Sequence, residues 1–179
     1  MKNKGIKNLV ISALFLAIGA VLPLLTGQIK EIGDSLLPMH LPVMLCGLIC
    51  GPCYGAVVGG ILPFFRSVTF GMPPLYPNAV WMALELMTYG LVIGIIYSLR
   101  KNKTLPHLFV SLGVAMISGR IVWGIAKAIL LGVANKPFGF QAFIMGGFID
   151  AIPGIIIQLI LIPVIMHVYN KLIRRGNEQ

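Results

Sequence analysis

The sequence is poor in charge, and poorest in acid. Only five Asp and Glu residues stand among 179, and all charged types together reach 11%. A soluble domain carries about 25% charged residues and needs a polar surface to cover its core. A soluble globular domain is therefore excluded. A hydrophobic content of 58% also excludes a disordered chain. The net charge of +9 has no polar scaffold around it that would make a nucleic-acid module. In so apolar a chain it points instead to loops facing anionic lipid. Gly-Lys-Ser/Thr is absent, as are Gly-x-Ser-x-Gly and His-Glu-x-x-His. This chain is thus not expected to hydrolyse ATP through a phosphate-cradling loop, or to be an enzyme of those classes. No cofactor or metal set is apparent. Cys46, Cys50 and Cys53 are the three cysteines, and they read as small packing residues rather than metal ligands.

What the chain has is long apolar runs. A spanning helix needs about 20 mostly apolar residues. Six stretches qualify as candidates: 6–25, 36–50 (a short one), 54–70, 79–99, 108–133 and 143–173. None alternates in polarity as barrel strands do. The expected architecture is a single all-α membrane domain over 1–179, a six-helix transmembrane bundle. The first run is too long for a typical signal peptide and reads as a span. Lys2, Lys4, Lys7, Arg100, Lys101, Lys103, Lys171, Arg174 and Arg175 fall on one side of such a bundle. Lys30 and Lys136 fall on the other. The excess of basic residues places both termini in the cytoplasm.

Five charges remain inside the spans: Arg66, Glu85, Arg120, Lys127 and Asp150. Intramembrane charges are costly, about 2.5–3.5 kcal/mol on insertion scales, and they mark functional interiors. By span direction all five lie in the outer half, the depth of a pocket open to the outside. Arg120, Trp123 and Lys127 share one helix face, as do Trp81, Glu85 and Tyr89. Aromatic rings beside charge suit a small, partly flat, partly polar ligand. Three positive charges against two negative leave one for a ligand carboxylate or phosphate, which Arg can grip bidentately. The plain alternative is a set of structural ion pairs, Arg66 with Glu85 and Arg120 or Lys127 with Asp150. His40 sits at the same depth and reads as a ligand contact, a proton carrier or an interfacial histidine.

Ala13-x3-Ala17 gives the first span a small-residue face. It can serve close packing within the bundle or docking onto another membrane protein. Gly47, Gly51, Gly55 and Gly59 recur every four residues and suggest close packing of the second and third spans.

The segment LPMHLPVMLCGLICGPCYGAVVGGILPFFRSVTFGMPPLYP and the following AVWMALELMTYGLVIGIIY, behind the Ala-x3-Ala first span, carry a family resemblance. The chain resembles the substrate-binding (S) components of energy-coupling factor (ECF) vitamin transporters. The resemblance implies a subunit of a prokaryotic plasma membrane that captures a vitamin or precursor at the outer face. It implies partners: a membrane coupling subunit and two cytoplasmic ATPases, with the S component toppling in the bilayer to release its ligand inside. It assigns Ala13 and Ala17 to docking. It places the ligand near Gln28 to Ser35, Glu85, Arg120, Lys127 and Asp150, under a lid containing Pro73 and Pro74. Pro-Met-His-Leu-Pro and Gly-Met-Pro-Pro look most like pantothenate-type members; folate, niacin, pyridoxine-related compounds and riboflavin follow. The rival reading is a stand-alone proton-coupled transporter of a small organic anion, with Glu85 or Asp150 titrating.

Overall fold

Glycine and proline punctuate the chain, and several helices begin or end beside them. In the computed structural model, which describes residues 2–26, 35–100, 104–133 and 138–176, α1 covers Lys2–Val21 and runs into a 3-10 turn, Leu22–Thr26. Helix α2 covers His40–Cys50. Gly51 ends it at φ 106°, a value side-chain-bearing residues avoid, and Pro52 opens α3, Pro52–Phe70. Gly71 closes α3 in the left-handed conformation, its N–H donating to Ser67 O at 3.1 Å. A π-type turn, Leu75–Ala79, leads into α4, Val80–Ser98. Helix α5 is Leu105–Val133. The last apolar run is divided into α6, Phe140–Ile144, a π-type turn, Met145–Ile149, and α7, Ile152–Gly176. The described residues contain no strand.

Helix α4 lies in the middle, against α2, α3 and α5. Glycine makes this close packing possible. A Cβ on Gly55 would lie 2.7 Å from Gly47 Cα and 2.7 Å from Gly90 O. One on Gly47 would lie 2.5 Å from Gly90 O, and one on Gly94 would lie 2.6 Å from Pro52 Cα. The expected tight pairing of the second and third spans is present, and Gly90 and Gly94 extend it to α4. Helix α1 packs on α2 and α3. Helix α7 leans on α2 and α5 through Ile155, Leu159, Ile162 and Met166.

The bundle is apolar outside and polar in places inside. Val68, Ile125, Ile129, Ile160 and Val164 are exposed, whereas His40, Arg66, Glu85, Arg120 and Gln158 are buried. That reverses a water-soluble protein and fits a hydrocarbon surround. Among the described residues, five helical stretches are long and apolar enough to cross a bilayer: Lys4–Leu24, Pro52–Phe70, Leu75–Ser98, Leu105–Val133 and Phe140–Leu172. The sixth expected span, 36–50, is the exception. Its helix α2 has eleven residues, about 16 Å at 1.5 Å per residue, against a hydrocarbon core about 30 Å thick. The apolar pattern of 36–50 continues unbroken, while the helical backbone of Ser35 and Leu36 is interrupted at Leu37 (φ 51°), ahead of Pro38, and helix resumes at His40.

Candidate functional site

Arg120 and His40 converge on one carboxylate, that of Glu85. Trp81, Glu85 and Tyr89 lie four residues apart on α4, so all three side chains share a face. Arg120, Trp123 and Lys127, three and four residues apart, also share a face on α5. The two faces meet. Arg120 Nη1 donates to Glu85 Oε1 at 2.8 Å, and His40 Nε2, from the start of α2, lies 3.2 Å from the same oxygen. Arg120 is 4% exposed, Glu85 2% and His40 3%. Tyr89 sets its ring edge-on to His40, centroids 5.0 Å apart, and packs flat against Gly119, where a Cβ would lie 2.5 Å from Tyr89 Cε2. Gly119, the residue before Arg120, leaves room on α5 for this ring.

This arrangement leaves part of the guanidinium unused. Arg120 Nε and Nη2 are buried and have no hydrogen-bond partner, and His40 Nδ1 is in the same condition. Unmade hydrogen bonds on a buried cation cost more than those on neutral groups, about 1–3 kcal/mol or more each. Such groups in a polar centre call for a further partner.

One turn to two turns along α5 lies an aromatic enclosure. Lys127 Nζ sits 4.4 Å from the Trp123 ring centroid, 5.2 Å from Phe138 and 5.5 Å from Trp81. Trp123 also lies under the Arg120 guanidinium at 5.9 Å. Phe143 packs beside it, centroids 6.2 Å apart, while Gly147 of the π-type turn gives room at the ring face. The aromatic group and the charged group are therefore continuous, joined by Arg120 above Trp123. A cation held over aromatic faces gains about 0.5–2 kcal/mol, depending on desolvation.

Two of the expected charges lie elsewhere. Arg66 is buried, but its partners are carbonyls: Nη1 donates to Ala20 O at 2.6 Å and Nε to Met72 O at 3.3 Å, with Phe70 beneath it at 5.4 Å. It ties the end of α1 to the connector after α3, and it does not pair with Glu85, which Arg120 and His40 hold. Asp150 is exposed rather than turned into the buried group. Its N–H donates to Met145 O, five residues back, at 2.9 Å. Asp150 was expected inside from its depth along the span, and depth does not fix the face on which this wider π-type turn leaves it. Residues 28–34, expected to cover the site, lie outside the described residues.

One buried polar side chain here carries no formal charge and was not singled out from the sequence. Gln158 on α7 is 2% exposed, and its Nε2 has no hydrogen-bond partner. No group of three His, Cys, Asp or Glu able to hold a metal occurs among the described residues.

Ala13 and Ala17 are exposed on α1, beside Leu9, Val10 and Leu14. The bundle uses the other face of α1: Ser12, Gly19 and Ala20 are buried, and Asn8 Nδ2 donates to Cys50 O at 3.1 Å.

Comparison with known proteins adds one finding. Searches of curated proteins and of solved structures gave no match. A family model, "ECF transporter, substrate-specific component", matches residues 7–166. With an apolar, helical bundle enclosing a polar centre, and that match over most of its length, the chain belongs to the substrate-specific components of ECF transporters and is a membrane transport subunit rather than an enzyme.

Proposed function

We propose that this subunit captures a small carboxylate, pantothenate foremost, from the outer face of a prokaryotic plasma membrane and delivers it inward with a coupling subunit and two ATPases. The observation that carries the anionic reading is Arg120. Its Nη1 is committed to Glu85, while Nε and Nη2 are buried without partners. Those two nitrogens form one edge of the guanidinium fork, the edge that receives a carboxylate bidentately. Trp81, Trp123 and Tyr89 supply apolar walls, as in most small-molecule sites. Lys127 adds positive charge at the aromatic end. In this reading α2, with the turn before it, makes a sixth crossing, and both termini face the cytoplasm as the basic residues require. The outward alanines of α1 form the docking face for the coupling subunit, since small residues let a partner helix approach closely. Asp150 is no part of the ligand site in this reading, and Arg66 holds the outer connector in place rather than touching ligand.

The test is a thermal-shift and mass-spectrometry screen of the purified chain against pantothenate, folate, niacin, pyridoxine-related compounds and riboflavin. A ligand that binds the folded state alone raises the melting temperature by mass action. The expected result is a rise with pantothenate or with pantothenate copurifying. A rise with riboflavin alone, with no response to any carboxylate, would make Arg120 and Glu85 a structural pair and remove the anionic site.

A further inference from the structure

Among the described residues of α7, Gln158 is a fully buried polar side chain whose Nε2 has no hydrogen-bond partner. Its helix face is otherwise small or apolar: Ala151, Gly154, Ile162 and Met166 are buried at the same three- to four-residue spacing. Packing fixes its level. A Cβ on Gly154 would lie 2.6 Å from Ser35 O and 2.8 Å from Leu36 C, so Gly154 sits against the segment just before α2. Two turns and three turns further along, Ile162 and Met166 join the cluster that contains Met44, Leu45 and Leu48 of α2. The two segments run side by side in one direction. Gln158 falls between these two levels, and His40 lies between Leu36 and Met44 on the facing segment.

Three helices carry unpartnered buried atoms here: His40 Nδ1 from α2 and Arg120 Nε and Nη2 from α5, which meet at Glu85, and Gln158 Nε2 from α7, which shares the level of His40. Their chemistry is complementary rather than uniform. Arg120 and the Gln158 amide nitrogen can only donate. Glu85 Oε1 accepts from His40 Nε2, so in the neutral imidazole Nδ1 is an acceptor. A group bound here must supply an anionic oxygen to Arg120, a second acceptor oxygen to Gln158 and a hydrogen to His40.

We propose that Gln158 is a specificity-determining residue of the ligand site: its Nε2–H donates to a carbonyl or hydroxyl oxygen of a carboxylate ligand that also carries a hydroxyl or amide hydrogen. This rests on the carboxylate reading above and narrows it. Fatty acids and simple aromatic acids satisfy Arg120 but leave Gln158 and His40 unpaired, and a buried unpaired group is what rejects a ligand. Hydroxylated or amide-bearing acids satisfy all three.

The experiment uses the full-length chain in detergent with two probes: pantothenate and panthenol, which keeps the amide and hydroxyls but has an alcohol in place of the carboxylate. Calorimetric affinities are compared for the wild type, Gln158→Leu, Gln158→Met and the double variant Arg120→Gln/Glu85→Gln. Either Gln158 variant is expected to weaken both probes equally, about tenfold or more, the loss of one hydrogen bond with its donor site filled by an apolar group. The double variant is expected to erase the preference for pantothenate over panthenol. The ligand-free melting temperature of the Gln158 variants should not fall, because the amide they lose has no bond to lose. Should Gln158→Leu fail to fold, Gln158→Met retains the length of the side chain. Pantothenate affinity unchanged in these variants would overturn the role of Gln158 and leave the Arg120 site standing. A wild type that binds neither compound would overturn the pantothenate reading, and this inference with it.

Discussion

Arg120→Ala is expected to abolish carboxylate binding and also to destabilise the protein, and a second substitution separates the two effects. Arg120 makes a 2.8 Å charged bond to Glu85, and both side chains are fully buried. Removing the cation leaves a buried carboxylate with only His40 beside it. Breaking such a pair from one side costs about 3–5 kcal/mol. Replacing both members is far less costly, because no unpaired charge remains. Arg120→Gln/Glu85→Gln should therefore melt within a few degrees of the wild type. Its affinity for pantothenate should still be at least about 100-fold lower, since a desolvated charge contact is worth about 2–5 kcal/mol. Binding is read by calorimetry and folding by thermal unfolding in the same detergent. Wild-type affinity in the double variant would show that the guanidinium edge faces no ligand.

The second large effect concerns the outer face of α1. Ala13→Trp and Ala17→Trp place a large ring on a surface where neither alanine packs within the bundle. The proposed ligand site, drawn from α2, α4, α5 and α7, does not include that surface. Affinity in detergent should stay at the wild-type value, while uptake with the complete transporter should fall to background. A ring there holds a partner helix several ångströms further away than alanine does, and small-residue interfaces depend on that close approach. Normal uptake in both variants would move the docking face elsewhere.

The residues themselves explain which features could be read in advance. The helix breaks were legible because Gly51, Pro52 and Gly71 act locally, through positive φ or a fixed φ, wherever they occur. The faces carrying Trp81, Glu85 and Tyr89 and carrying Arg120, Trp123 and Lys127 were legible because each lies in one unbroken helix. Pairing was not. Depth along a span gives a level but no azimuth, so Glu85 could be matched with Arg66 as readily as with Arg120. Only the packing of α4 against α5 and α2 decides it. Asp150 was placed by depth alone, which does not say which side it faces, and after the wider turn at Met145–Ile149 it is exposed. The shortness of α2 was partly hidden because Leu36 to Met39 are apolar whether or not they are helical. Gln158 was invisible for a simpler reason: a neutral amide in an apolar helix has no charge to mark it, and only its burial and its unmade hydrogen bond single it out.

The most direct test of the central claim is uptake of radiolabelled pantothenate into proteoliposomes containing this chain alone, or this chain with the coupling subunit and both ATPases. The expected result is binding without accumulation by the chain alone, and ATP-dependent accumulation with the complete complex. Accumulation by the chain alone, driven by a proton gradient, would contradict it and identify a stand-alone proton-coupled transporter.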